Sequence, residues 1–102
     1  MRAMLTIPQI KQTVADYFKD KPVKEVYLFG SYARGEARED SDMDLLFSLI
    51  ENTRISYFGL AQYLVDLEKK FLVKIDLVEE ISLYPRLKKY VDEDKILLFS
   101  KK

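Results

Sequence analysis

The chain contains no cysteine and no histidine, and those two absences remove whole chemistries before any motif is read. No disulfide framework, thiolate nucleophile, Cys or His zinc site, or Ser-His-Asp triad can be built from its residues. Net charge of one sign is missing as well, with 17 Lys and Arg set against 17 Asp and Glu. The whole-chain field offers no basic stripe, which disfavours nucleic acid or an anionic membrane as a main partner. Long apolar runs are also lacking. None exceeds four residues (26–29 and 96–99), against roughly 20 needed to span a bilayer, and residues 1–10 carry no signal-peptide core. The expectation is a cytoplasmic protein without a membrane partner, and the lack of Cys fits a reducing compartment. Any catalysis must then come from carboxylates, hydroxyls, Lys, Arg and a borrowed metal.

What is present describes a folded chain. Its 102 residues are 48% hydrophobic, 33% charged and 13% aromatic, a composition with a core and well away from disorder. That length matches one small domain, 1–102. Apolar spacing at Ile7, Ile10, Val14 and Phe18 predicts a helix over 7–19, opened by a Thr6/Gln9 capping box with Pro8 in its first turn. Lys21-Pro22 ends it. Residues 26–29 read as a strand covered on both faces, closed by Gly30. A short helix is expected over 32–37, a second strand from Met43 to Leu49, and a long helix over 56–71 with Ser56 as N-cap. Tyr57, Leu60, Leu64, Leu67 and Phe71 form the apolar stripe of that helix. Alternation over 73–78 predicts a third strand. Pro85 opens a last helix over about 86–91, and 96–99 form a short strand or a terminal latch. This order implies an α/β fold in the broad sense, a mixed sheet flanked by helices. Antiparallel pairing of the first two strands would bring the Gly30 turn and the start of strand two to one edge of the sheet.

The stretch with chemical content runs from Leu28 to Leu46. Gly30 allows a sharp turn and close approach of a ligand to the main chain. Ser31 can cap the following helix, whose free N–H groups suit an anion such as phosphate. Asp42 and Asp44, two apart, share a face and can hold one or two divalent cations. Oxygen ligands without His or Cys select Mg²⁺, or Mn²⁺, over zinc or copper. Asp76 lies between Ile75 and Leu77 in the third strand, and a carboxylate there is costly to bury unless a cation pairs with it. If that strand adjoins the one carrying Asp42 and Asp44, Asp76 becomes a third ligand or the base for an attacking hydroxyl. Three carboxylates, metal and a helix N-terminus are the parts needed for in-line attack on a nucleoside triphosphate.

Gly30-Ser31, ten residues, then Asp42-x-Asp44 resembles the signature of the DNA polymerase β-like nucleotidyltransferase superfamily, with Asp76 where the family's third acid would fall. Four fixed positions recur by chance in a chain this long about once in a thousand. The short length resembles the minimal nucleotidyltransferases (MNT), which are often paired with a helical HEPN protein. The resemblance covers nearly the whole chain. It implies a polymerase β-like palm sheet and Mg²⁺-dependent transfer of a nucleoside monophosphate to a hydroxyl, with release of pyrophosphate. For HEPN-paired members it implies AMP transfer from ATP to a tyrosine of the HEPN toxin, so that the MNT protein acts as an antitoxin. Larger relatives carry an extra domain over the base or acceptor. Here a partner subunit or a second copy of the chain would supply that cover, and transfer to a small molecule such as an aminoglycoside is disfavoured.

Other residues admit two readings. Arg34 could neutralise phosphate or pair with Glu36, Glu39 or Asp40, and Lys74 is a weaker case of the same kind. Residues 34–44 hold two Arg against five Asp or Glu, a local field that attracts cations. The seven tyrosines read as core and rim, with Tyr84 and Tyr90 as interface candidates. The rival reading is a nucleotide-binding module that neutralises or regulates a partner by contact alone. Three converging carboxylates argue against it, because a pure binder has no need of them.

Overall fold

The sequence order of apolar positions builds four strands and four helices in the computed structural model, which describes residues 5–83 and 85–101 and omits the side chains of Arg86, Leu87 and Tyr90. Helix α1 spans Ile7–Phe18, and the Thr6/Gln9 capping box closes its start with reciprocal bonds of 2.8 and 3.2 Å, a device worth about 1 kcal/mol. Strand β1 is Val23–Phe29, α2 is Gly30–Arg34 and β2 is Met43–Leu49. Helix α3 (Tyr57–Phe71) starts where Ser56 Oγ accepts the Gly59 N–H. Strand β3 (Ile75–Glu79), a 3₁₀ turn (Glu80–Ser82), α4 (Pro85–Asp94) and β4 (Ile96–Ser100) complete the order.

The sheet runs β3-β2-β1-β4. β1 pairs antiparallel with β2 and β4, while β2 and β3 are parallel. A parallel pair requires a crossover, which α3 provides. Met43, Leu45 and Phe47 of β2 point to one face with Val26 and Leu28 of β1, and all five are sealed from solvent. Ile10, Val14 and Phe18 of α1 and Tyr63, Leu67 and Phe71 of α3 close that face into a single core. Phe18 meets Tyr17 and Tyr63 edge-on at 4.9 and 5.5 Å, the arrangement the ring quadrupole favours. The Tyr17 hydroxyl donates to Asp66 at 2.5 Å and so ties α1 to α3. Asp44 falls between buried Met43 and Leu45, so strand alternation turns it to the opposite face. Among the described residues no helix is long and apolar enough to cross a membrane.

Several local expectations are corrected. β1 begins at Val23, because pairing on both sides carries Glu25 into the strand despite its charge. It is sealed on one face only, with Tyr27 and Phe29 partly exposed. The short helix is Gly30–Arg34 in place of 32–37, stopped by Gly35 at φ 74°. Phe29, without a side-chain bond, occupies its N-cap, so Ser31 sits inside the first turn and does not cap it. β3 starts two residues later than expected, because Leu72 leaves α3 in the left-handed region at φ 58° and the chain must unwind before pairing. Tyr57 is 90% exposed and lies outside the core stripe of α3. The last helix extends to Asp94, and residues 96–100 are a true strand. The interface expectation at Tyr84 and the Tyr90 side chain lies outside the described residues.

Candidate active site

β1 ends at Phe29, which stands opposite Asp44 on β2, and Asp44 stands opposite Asp76 on β3. Adjacent strands lie about 4.8 Å apart, so the register alone sets Asp44 and Asp76 side by side. The pairing of β2 with β3 starts with Met43 N–H donating to Lys74 O at 2.8 Å. Asp42 precedes β2 and is carried by a closed turn in which Ser41 Oγ accepts the Arg38 N–H at 2.7 Å. That role of Ser41 escaped sequence reasoning, although serine is a common turn residue.

Gly30 completes the edge. Its φ is 74°, and a Cβ placed on it would overlap the Asp44 carboxylate, lying 3.1 Å from Cγ. The glycine therefore lets Asp44 reach the mouth of the Gly30-Ser31 turn. Ser31 is half-buried one residue on.

Electrostatics mark the middle acid. Burial pushes the Asp44 carboxyl up to about 6, the charges of Asp76 and Asp42 push the same way, and the Arg34 charge opposes them. The other three predicted charged residues are thus all felt at Asp44. Asp42 and Asp76 are exposed. Among the described residues no three acids form a closed metal cage. The donors, all carboxylate oxygens with excess negative charge, fit a hard divalent cation.

Arg34 takes the surface pairing with Glu36 that the sequence offered, not those with Glu39 or Asp40. Its Nε donates to Glu36 at 2.9 Å and its Nη1 to Asp94 at 3.0 Å. Asp94 went unnoticed in the sequence, since nothing local links residues 60 apart. The Lys74 side chain is exposed.

Beside the acids opens a cleft of about 290 Å³. Gly30, Arg34, Asp76 and Asp94 border its polar side, while Phe29, Val78, Leu83 and Val91 form an apolar wall. A hollow of about 700 Å³ near Ser48, Glu51 and Glu79 is larger but holds none of the predicted acids. The arrangement can accept an apolar group beside a cation-binding, proton-accepting edge.

A model of the nucleotidyltransferase domain matches residues 7–98. A Methanocaldococcus jannaschii protein provisionally named a protein adenylyltransferase (MJ1379) is 39% identical over 98 residues, covering 91% of this chain and 98% of its own. A solved structure described provisionally as a minimal nucleotidyltransferase is 33% identical, with a TM-score of 0.75 over 93% of this chain and 98% of that one. The fold also matches, at 17% identity and a TM-score of 0.72, a chain from a complex of tri-AMPylated Shewanella oneidensis HEPN toxin with an MNT antitoxin. That match covers 94% of this chain and 74% of the other.

Proposed function

Because this chain belongs to the nucleotidyltransferase domain family, we propose that it moves AMP from ATP to a hydroxyl of a partner protein, a tyrosine of a HEPN-type toxin, and so acts as an antitoxin. One observation carries the reading: Asp44 is paired in register with Asp76 while Gly30 leaves the space its carboxylate fills. The relative named as a protein adenylyltransferase supports AMP as the group moved. The AMPylated HEPN toxin bound to its MNT antitoxin supports a HEPN partner.

The residues divide the work. Gly30 and Ser31 hold the outer phosphates with Arg34 beside them. Asp42 and Asp44, joined by Asp76, hold Mg²⁺, or Mn²⁺ in its place. The bound metal supplies charge neutralisation and orientation for the attacking and leaving oxygens. Asp76, exposed at the edge of the sheet pairing, takes the proton of the acceptor hydroxyl. The acceptor oxygen then bonds to the α-phosphorus as the bond to the bridging oxygen of the β-phosphate breaks, and pyrophosphate leaves. The apolar wall of Phe29, Val78, Leu83 and Val91 keeps one side of the cleft dry. We read residues 1–102 as one domain acting in the cytoplasm, its cleft covered by the partner or by a second copy of the chain.

The test is incubation of the purified chain with α-labelled ATP, Mg²⁺ and a candidate HEPN-type partner protein. Label on a partner tyrosine supports the proposal. A stable complex without label would establish the non-catalytic binding module instead.

A further inference from the structure

Arg34 is gripped by two acids that differ in what they can control. Glu36 lies two residues away and travels with the same loop, so its bond to Nε at 2.9 Å fixes only local shape. Asp94 comes from the far end of α4 and meets Nη1 at 3.0 Å. That end is fixed relative to the sheet. Val91, one turn earlier, is 7% exposed, Lys95 N–H closes the helix on Val91 O at 2.8 Å, and Ile96 pairs at once with Leu28 of β1.

We infer that Asp94 is a positioning residue that holds the Arg34 guanidinium at the edge of the acid-lined cleft, ready for the triphosphate of the nucleotide. This rests on the nucleotidyl-transfer reading above. Arg34, Asp94, Gly30 and Asp76 all border the same cleft, and Arg34 follows Ser31 by three residues. An unanchored arginine loses rotamer freedom when it is fixed, and the bond to Asp94 fixes it before the nucleotide arrives. Stability is a poor account of the pair. The Arg34 and Asp94 side chains are 44% and 31% exposed, and ion pairs open to solvent contribute little to stability.

The experiment compares KM for MgATP and kcat in the labelled-AMP assay with the partner present. Asp94→Asn should raise KM about tenfold and leave kcat within about twofold, and Asp94→Glu should restore most of the loss. Asp92→Asn is the control: it removes the same charge from the same helix by breaking the 2.9 Å Asp92 to Lys95 pair, and KM should not change. A wild-type KM in Asp94→Asn, or an equal rise in Asp92→Asn, overturns the inference. Binding of a fluorescent ATP analogue with Mg²⁺ separates the two claims. If the native chain binds nucleotide without transferring AMP, the transfer reading fails, while about tenfold weaker binding by Asp94→Asn still upholds the positioning role. Equal binding by the two, or none by the native chain, refutes it.

Discussion

Gly30 makes room for Asp44: a Cβ on the glycine would lie 3.1 Å from the Asp44 Cγ and overlap its carboxylate oxygen. Gly30 and Gly35 share a φ of 74°, yet a Cβ on Gly35 would meet nothing within 4 Å. The two positions therefore separate backbone strain from crowding. Alanine at either should cost about 1 kcal/mol through the left-handed backbone. Only Gly30→Ala forces the Asp44 carboxylate aside, so it alone should abolish AMP transfer, with Gly35→Ala remaining active. Urea unfolding and the labelled-AMP assay on both variants check this, and an active Gly30→Ala protein would contradict the assigned edge.

Asp44→Asn keeps the shape of the side chain and deletes its charge. With Asp76 and Asp42 both acting on it, the substitution relieves repulsion, so the variant should fold at least as well as the native protein. Transfer should fall by at least about 100-fold, the loss expected when a few kcal/mol of metal-borne stabilisation is removed. Full activity in Asp44→Asn would sink the mechanism.

The raised carboxyl of Asp44 also sets a pH dependence. Its value moves from 3.8 to about 6 on folding, so between those limits the folded chain keeps a proton that the unfolded chain has released. The Asp44 contribution to metal-free stability must then fall as pH rises through about 4 to 6 and level off above. The group is only half-buried, so the drop is about 1 kcal/mol after solvent screening. Asp44→Asn should lack that contribution, and Mg²⁺ should restore native stability above pH 6 by binding the ionised form. Urea midpoints across this range, with chelator and then with Mg²⁺, provide the measurement. Identical native and Asp44→Asn profiles would refute the assignment.

Short-range signals in the sequence offered an antiparallel β1–β2 edge and a β3 beside β2 as the conditions for a site, and the sheet pairing meets both. A glycine punctuates a strand, an aspartate alternates with apolar residues, and a 15-residue helix supplies the crossover. The missed features depend on partners distant in the chain. Glu25 is strand because Ser48 and Ser100 flank it. Tyr57 sits outside the core because Ser56 fixes the helix start and thereby the phase of its face. Asp94 reaches Arg34 only after α4 folds over the open face. Ser31 lost its expected capping role because the left-handed Gly30 starts the turn one residue earlier.

The two faces of the sheet should respond independently to substitution, and Phe18 tests that. Its side chain is fully buried in the core face, wedged against Tyr17 and Tyr63, while Asp44 projects from the other face of β2. Phe18→Ala should cost about 3–5 kcal/mol, a large part of the roughly 5–15 kcal/mol that holds a domain together, so little folded protein would remain to assay. Phe18→Leu loses part of the ring contact but retains most of the volume, and should cost about 1–2 kcal/mol. Its thermal midpoint should drop by several degrees, about 4–8 °C per kcal/mol for a chain of this size. Below that midpoint, transfer per folded molecule should equal the native rate, since the strands that hold Asp44 and Asp76 in register stay paired. A Phe18→Leu protein that is fully folded by circular dichroism yet transfers AMP tenfold more slowly would mean that core packing reaches through the sheet to the acids.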